Sequence, residues 1–182
     1  MHLASKLKKE NICEYLIFMW QIEDVIRASG LNIDVLNQQF VSGYSSENEQ
    51  ERKTLSEWYE SLIEMMRLEG VQERGHLQIN KNVLIDLLDV HALLIQSGKV
   101  PAYNAKFYHI LPYITQLRAK SDASYSDLEI CFNFMYGIML LKMKKAEISV
   151  DTTQAFTEIS KYLVLLAKNY NDYQNGDLDL YD

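Results

Sequence analysis

Five side chains stand where chemistry could be done: Glu23, Arg27, Arg67, His76 and His91. Stepping about 100° per residue along a helix, Ile12, Leu16, Met19 and Ile26 form an apolar face, and Glu23 falls inside it. A carboxylate among aliphatic side chains is costly unless it is paired or neutralised. Arg27, one helical turn later, is within reach of it. Two readings follow. Glu23 is an internal anchor held by an ion pair or hydrogen bonds, or it lines a polar pocket. In such a pocket a glutamate or histidine serves as base and an arginine as an anion clamp, with Arg67, His76 and His91 as further lining. His91 has the same ambiguity. It shares a helical face with Leu84, Leu87, Leu88, Leu94 and Ile95, so it is either a core histidine bonded to a carbonyl or carboxylate, or a ligand-binding or catalytic group. In both cases the anchoring reading comes first.

Recognised catalytic spacings are missing. A di-iron helical site needs two Glu-x-x-His motifs and two more glutamates. The sequence has one such motif, Glu73 to His76, and Gly75 interrupts it. Asp86 and Asp89 fall on the polar face of the helix that carries His91, away from it. No His-Glu-x-x-His, Gly-x-Ser-x-Gly, phosphate-binding glycine loop or dinucleotide fingerprint occurs. The sequence therefore implies no metal and no cofactor, and it assigns no catalytic residue.

Positioning these side chains falls to helices. Seven glycines and two prolines in 182 residues are too few for the frequent turns of an all-β chain. Apolar residues recur in steps of three and four, as in Leu55, Trp58, Tyr59, Leu62, Ile63 and Met66. We expect an all-α fold, a compact bundle of five to six helices in a single domain over residues 1–174, with an acidic tail at 175–182 that frays. The first helix is expected over 5–29, stopped by Gly30, and it is apolar nearly all the way round. A short helix over 33–41 follows, with Asn32 as its cap. Ser42–Asn48 reads as a loop. Ser46 begins a cap-like pattern with Glu49, at the head of a helix reaching about Glu73. Pro112 should kink or divide its helix. Ser126 is a candidate cap, and the last helix is expected to begin after Asp151 or Thr152. Gly137, inside the most apolar helix, suggests close approach of another backbone.

The formal charge of -7 disfavours a general nucleic-acid binder. Lys6, Lys8 and Lys9 make the amino end locally basic, and solvated termini explain this most simply. Cys13 and Cys131 form neither a zinc spacing nor a disulfide framework, so a reducing, cytoplasmic compartment is expected. The run Ile12–Trp20 contains Glu14 and is followed by Glu23, Asp24 and Arg27, which is unlike a signal peptide. Ile130–Leu141 is too short for a membrane span of roughly 20 apolar residues. Twelve tyrosines, among them Tyr103, Tyr108, Tyr162 and Tyr173, suit either core packing with hydroxyls at the rim or an interface.

Several stretches carry a resemblance: Asn11 to Ala28, with Trp20, Glu23, Asp24 and Arg27, then Trp58-Tyr59 with Met65-Met66-Arg67, Gly75-His76-Leu77-Gln78-Ile79-Asn80-Lys81-Asn82, and Leu117-Arg118-Ala119-Lys120-Ser121. Leu111-Pro112-Tyr113-Ile114 and Tyr136-Gly137 add to it. With these the sequence resembles an uncharacterised helical family of Bacteroidetes proteins, domain of unknown function 4924, over nearly its whole length. The resemblance implies a bacterial, helical, cytoplasmic protein and no particular activity. Taken with the residues, it points to a non-enzymatic interaction or scaffold protein, with a homodimer or another protein as partner. The alternative is an enzyme or small-ligand binder with a polar pocket in the bundle.

Overall fold

The computed structural model describes residues 2–41 and 49–181. Among these the regular structure is helical throughout, with eight α-helices where five to six were expected. They are α1 (His2–Glu10), α2 (Ile12–Ala28), α3 (Ile33–Leu36), α4 (Glu49–Leu68), α5 (Gln78–Ser97), α6 (Pro101–Arg118), α7 (Asp127–Met143) and α8 (Val150–Gln174). A π-helical turn over Asn37–Val41 extends α3. Part of the excess comes from Asn11, which divides the expected first helix in two. Asparagine competes with helical backbone bonding through its own side chain. The Glu10 carbonyl at the end of α1 accepts from Asn171 Nδ2 at 3.0 Å. The cap expected at Ser46 and the Ser42–Asn48 loop lie outside the described residues.

The described residues gather into two compact units, the first within 1–9 and 14–83, the second within 10–13 and 84–182. In the first, α4 packs against α3 and its π-helical turn. Its core includes Leu16, Met19, Trp20, Ile26, Leu62, Met66 and Leu77. Two glycines define its corners. Gly30 (φ +66°) and Gly70 (φ +68°) adopt the left-handed conformation that a side chain disfavours. At each, the glycine N–H and the next N–H reach back into the last turn: Gly30 to Arg27 and Leu31 to Ile26, then Gly70 to Arg67 and Val71 to Met66. This is a Schellman closure, and it satisfies carbonyls that would otherwise be orphaned. It ends α4 at Leu68, short of the expected Glu73.

In the second unit α6, α7 and α8 pack on one another, burying Phe107, Ile110, Leu128, Phe132, Ile159 and Leu166. Ser126 caps α7 in a reciprocal box with Glu129. Ser149 caps α8, which therefore starts before Asp151. Helix α6 continues unbroken through Pro112. The proline is exposed, so the acceptor it leaves unpaired, the Tyr108 carbonyl, is on a side that water can reach. A Cβ at Gly137 would meet nothing within 4 Å among the described residues, so none of their backbone crowds α7 there, contrary to expectation. Hydrogen bonds from Lys106 and Lys161 hold the Glu158 carboxyl down to about 2, and the one from Lys106 ties α6 to α8. In the segment after α8, Leu180 is buried and Lys99 Nζ donates to the Tyr181 carbonyl at 2.6 Å.

Candidate functional site

Glu23 is fully buried on α2. A carboxylate can only accept, and each of its neighbours supplies a proton. Leu77 N–H donates to Oε1 at 2.9 Å and Asn80 Nδ2 donates to the same oxygen at 2.7 Å. His76 Nδ1 lies 2.6 Å from Oε2, so Nδ1 carries the proton. The local sequence explains the convergence. Gly70 and Gly75 turn the chain between α4 and α5, placing His76 and the Leu77 amide just before α5 and Asn80 in its first turn. Glu23 and Glu69, the latter accepting from Gln78 N–H at 2.6 Å, thus bring carboxylates to the positive amino end of α5. The indole of Trp20 stacks on the His76 ring at 4.3 Å and 15°. The Oδ1 of Asn80 is buried without a hydrogen-bond partner among the described residues. Flipping the amide would set this oxygen against Glu23 Oε1, so the observed orientation is the favourable one.

Arg27 is within 4.0 Å of Glu23 Oε2, which is long for an ion pair. Its guanidinium instead bonds Asp24 Oδ1 at 2.8 Å, the Val71 carbonyl at 3.2 Å and the Gly75 carbonyl. It therefore clamps the turn that carries His76. Arg67 donates to the Leu31 carbonyl at 3.1 Å. It lines a groove of about 440 Å³ with Leu31, Ile33, Glu60, Ile63, Glu64 and Leu68, between α3 and α4.

His91 sits in the second unit with two fully buried phenols. Its Nδ1 is 2.7 Å from Tyr103 Oη and 3.0 Å from Tyr162 Oη, and the two hydroxyls are 2.8 Å apart. Proton counting fixes the arrangement. With Nδ1 as acceptor both phenolic hydrogens are used, one hydroxyl donating to the ring and the other to that hydroxyl, whereas a proton on Nδ1 leaves one phenolic hydrogen with no acceptor in the cluster. Burial pushes the His91 pKa down, with the charge of Asp127 opposing it, and burial raises both phenols. Phe107 meets the imidazole edge-on at 4.7 Å. Cys131 is buried, and its thiol is pushed up by burial, which leaves it a small hydrophobe.

The family described as domain of unknown function DUF4924 matches residues 1–177. The chain belongs to this family. No curated protein and no solved structure matches it. Within this DUF4924 chain, two of the stretches that carry the resemblance meet at Glu23: Trp20, Glu23 and Arg27 from one, His76, Leu77 and Asn80 from the other. Of the five candidate side chains, Glu23, Arg27 and His76 share one network. Arg67 belongs to the groove, and His91 to its own cluster. Sequence reasoning missed Asn80, the Leu77 amide, Trp20 as a stacking partner, and the assignment of Tyr103 and Tyr162 to His91. The tyrosine surplus was the only hint of the last. No helix among the described residues is long and apolar enough to cross a membrane.

Proposed function

We propose that this DUF4924 chain is a bacterial, cytoplasmic, non-enzymatic interaction protein that offers the groove between α3 and α4 to a protein partner. The observation that carries the reading is the groove itself. Its lining residue Leu68 is 80% exposed, with the half-buried Leu31 and Ile33 beside it and the buried Ile63 beneath. Contiguous exposed apolar surface with a charged rim is characteristic of contact sites. The polar groups that break the apolar pattern support it too. Glu23 is engaged by three donors and His91 Nδ1 by a phenolic hydroxyl, so these atoms work inside the fold. Two buried free cysteines and the family resemblance support the compartment and the source. The test is a photo-crosslinking residue placed at Leu68 in cells, with Lys144 as an exposed control. Discrete adducts of fixed mass are expected from position 68 alone. Equal labelling at both positions, or none at 68, overturns the reading.

One observation favours a second reading, a ligand-binding or catalytic site. The His76 side chain remains 33% exposed while Glu23 fixes its ring, and a carboxylate-oriented imidazole is a common way to place a base. A metabolite-induced rise in melting temperature that disappears in His76→Gln, with the fold intact, would favour it.

A further inference from the structure

We infer that a second cleft, lined by α1, α2, α4 and the start of α5, binds a short-chain aliphatic carboxylate. It is independent of the α3–α4 groove and shares no lining residue with it. The cleft has a volume of about 120 Å³. Drug-sized ligands need roughly 300–1,000 Å³. At the ~30 Å³ that one water molecule occupies, this cleft admits on the order of five non-hydrogen atoms. Its walls divide by chemistry. Met19, Trp58, Leu62 and Ile79 are apolar, and Ser5, Lys8 and Tyr15 are polar. No acidic side chain among the described residues lines it.

Two donors in the cleft stand without an acceptor. Tyr15 is only 8% exposed, yet its hydroxyl has no hydrogen-bond partner among the described residues. A phenol so deeply buried normally finds one. The oxygen is not sealed from solvent, and the open space beside Tyr15 is the cleft. Burial pushes the phenol pKa up, so it remains a proton donor. Lys8 brings positive charge to the same place, its Nζ 5.6 Å from the centre of the Tyr15 ring. The ring face attracts the ammonium but is no oxygen acceptor. Lys8 forms no hydrogen bond or ion pair with a described residue. Ser5, on the same face of α1 three residues earlier, adds a second hydroxyl. Donors and one positive charge thus face a ligand whose other end must be hydrocarbon. A short aliphatic carboxylate meets both demands. Inorganic phosphate fails the second, because its oxygens would lie against Met19 and Leu62. A neutral amide fails the first, because it gives up the charge-assisted bond.

The test uses the full chain labelled with 5-fluorotryptophan, so that Trp20 and Trp58 give separate fluorine signals. Trp58 lines the cleft and Trp20 does not. Propionate, propionamide and inorganic phosphate, equal in their number of non-hydrogen atoms, are titrated at constant ionic strength. Propionate should shift the Trp58 signal saturably, with a Kd on the order of millimolar. Propionamide and phosphate should bind about tenfold more weakly or worse. Lys8→Met keeps the apolar stem and removes the charge, and it should weaken propionate about tenfold. Tyr15→Phe should weaken it about fivefold. Its melting temperature should not fall, because the hydroxyl has no bond to lose. His76→Gln should bind propionate like the wild type, and far-UV circular dichroism confirms that each variant is folded. No saturable shift of Trp58 up to about 50 mM propionate overturns the inference. So does equal binding of propionamide, or propionate binding unchanged in both Lys8→Met and Tyr15→Phe. Loss of binding in folded His76→Gln would place the ligand at His76 and overturn it as well.

Discussion

Around Glu23 the central group can only accept, and three neighbours bring protons to it, one of them a backbone amide. Around His91 the neighbours are two phenols that bring their own protons, and the ring must accept. The two histidines therefore use Nδ1 in opposite senses: His76 donates through it and His91 receives through it. The contrast lies in what each cluster fastens. Glu23 holds a turn of the main chain in place, together with the start of α5. The His91 cluster joins side chains of α5, α6 and α8 that are already packed through Phe107 and their own rings. Losing the first should therefore cost more than losing any member of the second.

Glu23→Ala tests that ranking most severely. It leaves the Leu77 N–H, the Asn80 amide and the His76 ring without their acceptor in a buried place, a loss of about 3–5 kcal/mol by analogy with removing one partner of a buried charged pair. Glu23→Gln keeps one oxygen for Leu77 and Asn80 and turns an NH2 toward His76, so it should cost only about 1–2 kcal/mol. Urea unfolding midpoints measure both. If Glu23→Ala costs no more than Glu23→Gln, the carboxylate is not the organising group and the contrast collapses.

The phenols come next. Tyr103→Phe or Tyr162→Phe removes one hydrogen bond, about 1 kcal/mol, since the hydroxyl that remains can still donate to His91. The double variant removes both bonds and leaves Nδ1 without a donor. Its cost should exceed the sum of the singles by about 0.5 kcal/mol or more. Strict additivity in a double-mutant cycle would show that the three groups do not act as a unit.

How much of this could be read from the sequence follows the range of each interaction. The Gly30 stop and the Asn32 and Ser126 caps were legible because donors and acceptors lie within a few residues of one another. Glu23 and His91 were legible as oddities, because helical periodicity shows which face a residue occupies. Their partners were not. His76 is 53 residues from Glu23, Asn80 is 57 away, and Tyr162 is 71 from His91. Periodicity within one helix does not say which turn of chain comes to rest over it. Arg27, the partner that local spacing suggested, turned out to serve the carbonyls of Val71 and Gly75 more closely than the carboxylate. The break at Asn11 also escaped notice, because the apolar stripe runs past it.

A smaller effect checks that the costs above are local. Gly137 lies in α7 with open space where a Cβ would go. Gly137→Ala should therefore stabilise the chain by about 1 kcal/mol through helix propensity alone. It should add independently to Glu23→Gln, in the other unit. A destabilising Gly137→Ala would mean that something does approach α7 at this point. Non-additivity with Glu23→Gln would mean that the two clusters cannot be compared as separate parts.

The smallest expected effect distinguishes the two histidine arrangements by pH. The folded pKa of His91 is lowered, chiefly by burial. A third proton in its cluster leaves one hydroxyl hydrogen with no acceptor, so the geometry agrees with that direction. Between the folded pKa and the unfolded value of about 6.5, the unfolded chain binds more protons than the native one. Stability therefore rises with pH across this window. His91 leaves it intact above about 6.5 and erodes it as the pH falls toward the folded value. The melting temperature should accordingly drop between about pH 7.5 and about pH 5.5, above the range where carboxylates dominate acid unfolding. His91→Gln lowers stability overall but removes this part of the slope. A melting temperature that rises on acidification, or a slope that survives His91→Gln unchanged, would mean that the ring is not the acceptor the proton count requires.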